Sequence, residues 1–138
     1  MNATVRGLFV CPEKKGKVLS RDEVRLNPNG LEGDFHNSTT SRRQVLLLSA
    51  EVLNEFGLAP GSLRENVVVD GLDVMNLPEG QFLHAGTAVL EITVPCEPCT
   101  QMERIRKGLK QALGGKRGMF AKVVTPGTIR VGDAVRLS

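Results

Sequence analysis

Thr87-Ala88-Val89-Leu90-Glu91-Ile92-Thr93-Val94 runs directly into Pro95-Cys96-Glu97-Pro98-Cys99-Thr100. Ala88, Leu90, Ile92 and Val94 fall on one side, Thr87, Glu91 and Thr93 on the other, and only Val89 breaks the alternation. That period predicts a strand with one buried face. Pro95 and Pro98 have no amide hydrogen to give a sheet, so the ladder is expected to stop there. A helix is expected next. Thr100 and Glu103 have the spacing of a capping box, Met102, Ile105, Leu109 and Leu113 share one face, and Gly114-Gly115 supplies the stop. Gly108 inside that helix costs about 1 kcal/mol relative to alanine.

The chemistry lies in the two thiols. Cys99 stands just before the expected N-cap, where free amide hydrogens and the positive end of the helix dipole gather. A thiolate is favoured there, and the thiolate is both the nucleophile and the soft metal ligand. Cys96, further from the helix end, is expected to be the less acidic of the pair. The competing reading is a small buried cysteine that only packs. That reading is taken for Cys11, which has no cysteine or histidine near it in sequence.

The chain of 138 residues suffices for one domain, 1–138, with a real core. No apolar run approaches the roughly 20 residues that span a bilayer, and the N-terminal residues lack a signal-peptide layout, so a cytoplasmic location and no membrane partner are expected. Three cysteines argue for thiols rather than structural disulfides. A net charge of +3 suits a small anionic molecule as well as nucleic acid. With no Trp, no Tyr and five Phe, the chain lacks the stacking platform of a single-strand binder, so nucleic acid is the weaker reading. Fifteen Gly and seven Pro among short apolar runs point to a mainly β barrel or sandwich with a few helices.

Strands are expected over Val5–Cys11, Lys17–Ser20, Glu23–Leu26 and Arg42–Leu48. Further ones are expected at Val67–Val69, Gln81–His84, Met119–Val124, Ile129–Val131 and Ala134–Leu137, the last two closing the sheet. Ser49 and Gly57 bound a helix from Ala50 to Phe56. Thr125-Pro126-Gly127-Thr128 matches a type II turn. Gly33 frees the backbone so that Asp34 and His36 sit in an exposed loop able to present an imidazole, although taken alone the loop favours a hydrogen-bonded histidine that merely orients the turn. The polar segment 37–41 is expected to be mobile.

Taken in order, several stretches resemble the MOSC domain, the module at the C-terminus of molybdenum cofactor sulfurases. They are Gly33-Asp34-Phe35-His36, Arg42-Arg43, Pro60-Gly61 with Arg64-Glu65-Asn66-Val67, Gly80 to Gly86, Pro98-Cys99, Arg117-Gly118, and Gly127 to Asp133. The resemblance spans Val5 to Leu137. It implies a β-rich, Greek-key barrel-like fold with a few short helices. It also implies that the family cysteine, matched by Cys99, carries sulfur as a persulfide or ligates molybdenum. In reductase members an Arg-x-Asn pair, matched by Arg64 and Asn66, helps hold the molybdopterin cofactor. Arg42, Arg43 and Arg117 are further candidates for anion contact, because a guanidinium forks onto a phosphate, and Asp34 is a candidate beside them. Pyridoxal phosphate belongs to the other domain of the sulfurases, and no lysine here is placed for a Schiff base.

Two functions follow. In the first, Cys99 carries sulfur between a donor and an acceptor, Cys96 resolves the persulfide, and His36 assists; the activity is sulfurtransferase-like. In the second, Cys99 ligates molybdenum in a cofactor-binding domain that reduces N-hydroxylated compounds and draws electrons from a donor protein. A zinc site built from Cys96, Cys99, His36 and His84 is a third arrangement, but only one paired motif is present.

Overall fold

A computed structural model describes residues 3–36 and 38–138; Met1, Asn2 and Asn37, the first residue of the polar segment expected to be mobile, lie outside the described residues. The chain forms β1 (Ala3–Val10), β2 (Leu19–Arg21), β3 (Glu23–Asn27), β4 (Gly30–Leu31), β5 (Val45–Ser49), α1 (Ala50–Phe56) and β6 (Val67–Asp70). A single 3-10 turn (Val74–Asn76) leads to β7 (Phe82–Ala85), β8 (Ala88–Pro95), α2 (Met102–Ile105), α3 (Leu109–Ala112), β9 (Met119–Thr125), β10 (Gly127–Arg130) and β11 (Ala134–Leu137).

Strand β8 is paired on both edges, with β7 on one side and β9 on the other. The ladder continues β9–β5–β6–β1, and β1 also pairs with β11, which pairs with β7. The result is a closed barrel of seven strands, mainly β as expected, with β2 added to the far half of β1 and a small β10–β3–β4 sheet beside it. Among the described residues only β5 and β6 run parallel, and helix α1 makes their crossover. No helix among the described residues is long and apolar enough to cross a membrane.

Closure explains the continuous apolar runs. Leu47, Val67 and Val69 point into the barrel with Leu83, Leu90 and Ile92. Leu48 and Val68 point outward and meet Phe9, Val52, Leu53, Met102, Leu109 and Leu113. Wall segments buried on both faces have no polar side to alternate with.

The long helix expected after Thr100 is instead two single turns, α2 and α3. Gly108 breaks it, in a left-handed conformation at φ 84°. The capping box is also replaced. Gln101, not Thr100, precedes α2, and the Glu103 carboxylate accepts the amides of Gly108 and Lys110 at 2.9 and 3.0 Å, which lowers its pKa. Turns this short have no stability of their own. What holds them is burial of Met102, Leu109 and Leu113, roughly 2 kcal/mol each, together with Arg106, which donates to the Phe56 carbonyl at 2.7 Å.

Two further expectations are corrected. Pro95 remains in β8, opposite Met119, as its last residue, where a missing amide hydrogen costs least. Gly127 is the first residue of β10, paired with Leu26, rather than the centre of a type II turn. An added Cβ there would lie 2.6 Å from Thr87, so close approach explains this glycine. Ser49 does precede α1, but its hydroxyl bridges the Leu72 carbonyl and the Val74 amide instead of capping the helix.

Candidate thiol and arginine site

The end of β8 and the start of β9 position the site. The Cys96 amide donates to the Gly118 carbonyl at 2.9 Å, which puts Cys96 across the ladder from the Arg117-Gly118 step. Gly118 has φ 124°, and a Cβ there would lie 2.7 Å from the Leu47 carbonyl oxygen, so the chain passes this point only as glycine. Cys99 follows in an exposed turn, and its carbonyl accepts the Met102 amide at 3.0 Å. Met102 is fully buried and pins the turn from below.

Arg117 is the unusual residue. It is buried, 6% exposed, and its Nε and Nη1 have no hydrogen-bond partner. Unpartnered buried donors are rare, and each costs about 1–3 kcal/mol. The compensating charge is Glu65, also fully buried, whose carboxylate accepts the Gly61 amide at 2.6 Å and the Leu63 amide at 3.1 Å. Burial raises the Glu65 pKa; those amide bonds and Arg117 oppose the rise.

The three thiols differ. Burial pushes Cys11 up to about 11, and the Asp34 carboxylate adds to the rise. Half-buried Cys96 is also raised by burial, against which Arg117 acts first and Arg43 second; neighbouring Cys99 and Glu97 push it up. Cys99 is the exposed thiol of the three. The helix that follows Cys99 has only four residues and little dipole to offer, and the positive charges acting on Cys96 are those of Arg117 and Arg43.

His36 lies on the neighbouring face. Its ring meets Phe120 edge-on at 5.8 Å between centroids, and the Arg43 guanidinium lies 5.8 Å from the centre of the same Phe120 ring. The buried Asp34 carboxylate holds the histidine through its backbone amide at 3.1 Å and through Nδ1 at 3.0 Å. The other Asp34 oxygen accepts the Cys11 amide at 2.7 Å and Asn66 Nδ2 at 3.1 Å. Asp34 is thus an anchor beneath the face.

Asn66 is fully buried. Besides Asp34 it donates to the Phe9 carbonyl at 3.1 Å and accepts the Leu46 amide at 2.9 Å. Its amide is wholly engaged inside the protein. Arg64 has φ 59°, the one positive value at a non-glycine among the described residues. Its guanidinium holds the β1–β2 loop through the carbonyls of Glu13, Lys14 and Gly16 at 2.7–3.0 Å. Arg42 turns away to pair with Glu79 at 2.6 Å. His84 bonds Ser138, and among the described residues no three His, Cys, Asp or Glu side chains converge as a metal site, so the zinc quartet is not assembled.

Cys96, Cys99, Arg43 and Arg117 thus come together, with His36 alongside through Phe120. Arg42, Arg64 and Asn66 are occupied elsewhere. Sequence reasoning missed Phe120 and Glu65. Phe120 gives no local signal in a buried strand, whereas Glu65 stood inside the Arg64-Glu65-Asn66 motif and could have been suspected as a counter-charge. Beside the Cys99 turn is a cavity of about 260 Å³ lined by Lys15, Arg64, Arg104, Ser62, Gln101 and Met102 among others, with no carboxylate in its wall.

A small closed β-barrel with a two-thiol turn at the mouth of one strand pair defines the class of domain. The MOSC domain profile matches residues 34–136, and the chain belongs to that family, which is linked to molybdenum-cofactor proteins. The fold is similar to that of the YuaD protein from Bacillus subtilis, at 24% identity and TM-score 0.88 over 99% of this chain and 96% of that one. YiiM from Escherichia coli is similar at 25% identity and TM-score 0.76, over 100% of this chain and 70% of that one. YiiM from Geobacillus stearothermophilus is similar at 20% identity and TM-score 0.74, over 99% and 75%. A comparison with curated proteins matches none of them.

For a molybdenum cofactor the fit is divided. The thiols and the unpartnered Arg117 donors suit a soft metal and an anion. The Arg64–Asn66 pair that the resemblance assigns to the cofactor has its polar atoms engaged within the fold.

Proposed function

We propose that this chain is a sulfur carrier of molybdenum-cofactor chemistry, holding sulfur as a persulfide on Cys99. One observation carries the reading: a buried arginine with free donors lies beside a half-buried cysteine, three residues from an exposed one. A carrier thiol must be reachable by both donor and acceptor, as exposed Cys99 is, and its resolving thiol gains from nearby cations, which for Cys96 are Arg117 and Arg43. Delivery follows when the Cys96 thiolate attacks Cys99 Sγ. The new Cys96–Cys99 disulfide forms, hydrosulfide leaves with the electron pair, and an external dithiol, itself oxidised to a disulfide, later restores both cysteines. His36, held at Nδ1 by Asp34, keeps its ring against Phe120 on the neighbouring face.

The reductase reading would use the same Cys99 as a metal ligand, with the cofactor supplying the redox centre and Arg117 and Arg43 facing its anionic group. The occupied Arg64–Asn66 pair makes it the second choice.

Mass spectrometry of the chain after exposure to inorganic polysulfide tests the carrier reading. One added sulfur on Cys99, removed by cyanide, is expected. Absence of both an added sulfur on Cys99 and a Cys96–Cys99 disulfide refutes it, as does addition on Cys11.

A further inference from the structure

We infer that the cavity between α1 and the segment after β6 is a second ligand site, which takes a small organic cation: one protonated amine on an apolar body. The site is separate from the thiols and does not rest on the carrier reading. The cavity holds about 590 Å³, inside the range of about 300–1,000 Å³ usual for small-molecule sites. Its floor is apolar. Val52 of α1 is buried there, and Leu72 and Met75 are partly exposed while they pack against the barrel core.

Three ties fix the walls before any ligand arrives. Ser49 Oγ donates to the Leu72 carbonyl at 2.6 Å and accepts the Val74 amide at 2.9 Å, so the segment after β6 is held to the end of β5. Glu51 of α1 accepts the Gly71 amide at 3.2 Å. Lys116 pairs with Glu55 at 2.8 Å and brings the turn before β9 against α1. A cavity tied on three sides is preformed, so little ordering opposes a ligand.

The charges on the rim select the ligand. Glu51, Glu55 and Asp73 line the cavity against one ammonium, Lys116. Glu55 and Lys116 answer each other. Among the described residues no salt bridge uses Glu51 or Asp73, although the chain as a whole carries +3. Glu51 meets Gly71 through Oε2 alone, and Asp73 accepts the Met75 amide at 3.1 Å, so the two carboxylates flank Leu72 along the chain. Among the described residues no three His, Cys, Asp or Glu side chains converge as a metal site. Carboxylates spread around an apolar floor suit an organic cation better than a bare metal ion. An ammonium bonds a carboxylate while its body covers Leu72 and Met75. An anion on the same body meets two like charges, and a neutral molecule gains only the floor.

Methyl NMR of the full chain, labelled at the methionine Cε, tests this. Of Met75, Met102 and Met119 only Met75 lines the cavity, and Met75→Leu assigns its signal. The probe is hexylammonium in low-salt buffer at pH 7, with hexanol and hexanoate beside it. A saturable shift of Met75, with Met102 and Met119 unmoved, is expected at about millimolar hexylammonium. Hexanol is expected to need about 2- to 5-fold more, and hexanoate more again. Glu51→Gln and Asp73→Asn, both at exposed positions, are each expected to weaken hexylammonium about 2- to 5-fold and to leave hexanol unchanged. Equal affinity for hexanoate and hexylammonium overturns the inference, as does unchanged hexylammonium affinity in the double variant. So does the absence of a saturable Met75 shift, or a shift of all three methionines together. Should a variant fail to fold, the comparison of the two ions on the wild-type chain decides. Sulfur loading of Cys99 plays no part in the readout, so the carrier reading stands or falls separately.

Discussion

Asn66→Ala separates a residue that holds the fold from one that meets a ligand. The substitution removes the acceptor of the Leu46 amide and the donor to the Phe9 carbonyl and to Asp34. Asp34 keeps the Cys11 amide on the same oxygen, so its loss is partial. Leu46 and Phe9 are left with buried backbone groups and no water to replace the partner. At about 1–3 kcal/mol for each of the two stranded groups, the total is about 2–6 kcal/mol. Against a typical domain stability of about 5–15 kcal/mol this is a large fraction. Asn66→Asp keeps an acceptor for Leu46 but sets a second carboxylate against Asp34, and it is expected to cost at least as much. The chain has no Trp and no Tyr, so urea unfolding is followed by circular dichroism. A fall in midpoint with unchanged slope is the expected result. If both variants unfold within about 0.5 kcal/mol of wild type yet lose ligand or sulfur loading, the placement of Asn66 inside the fold is refuted.

Native alkylation at pH 8 is expected to modify Cys99 first, Cys96 more slowly, and Cys11 only on unfolding; peptide mapping decides, and early labelling of Cys11 contradicts the burial order. Arg117→Gln removes the cation that most favours the Cys96 thiolate, so Cys96 labels more slowly still at fixed pH. Cys11 has a folded pKa of about 11, above the ordinary thiol value of 9.0, so the folded state favours the neutral thiol. Its contribution is intact below the ordinary value and is lost as pH climbs toward about 11. Melting curves of Cys11→Ala should therefore lose less stability over that interval than wild type, and parallel losses would contradict this. Gly108→Ala should destabilise by about 1 kcal/mol, because an L-residue is strained at this φ; stabilisation by a similar amount would mean that a continuous helix forms instead.

Strand positions were largely legible because β8, β9 and β1 carry their pattern in adjacent residues. The seven-strand closure was not. It depends on β1 meeting β11 across almost the whole chain, and no local period reports that. The helix after Thr100 misled for a definable reason. Met102, Ile105, Leu109 and Leu113 do share a helical spacing, yet Ile105 is 40% exposed and only the other three reach the core. A glycine able to take positive φ lets the chain turn between two anchors, Met102 and Leu109, and the intervening helix is lost. In the site, the Cys96–Cys99 spacing is local and is visible in the sequence. The Arg117–Glu65 relationship is 52 residues long in sequence and appears only when the β8–β9 ladder is built.

The barrel also dictates where chemistry can occur. Leu47, Val67, Leu83 and Leu90 fill its interior, each at most 1% exposed, so no ligand enters the lumen. Much of the outer wall is closed by α1, α2 and α3 over Leu48 and Val68. One open part of the surface is the end of the β8–β9 pair, where Pro98 follows the ladder and the chain carries the Cys96–Cys99 turn. A buried cation costs a fold of this size several kcal/mol unless something compensates it. Glu65 answers the charge of Arg117 but not its hydrogen bonds. The buried Nε and Nη1 of Arg117 thus remain a cost of about 1–3 kcal/mol each that the packing of the fold must offset.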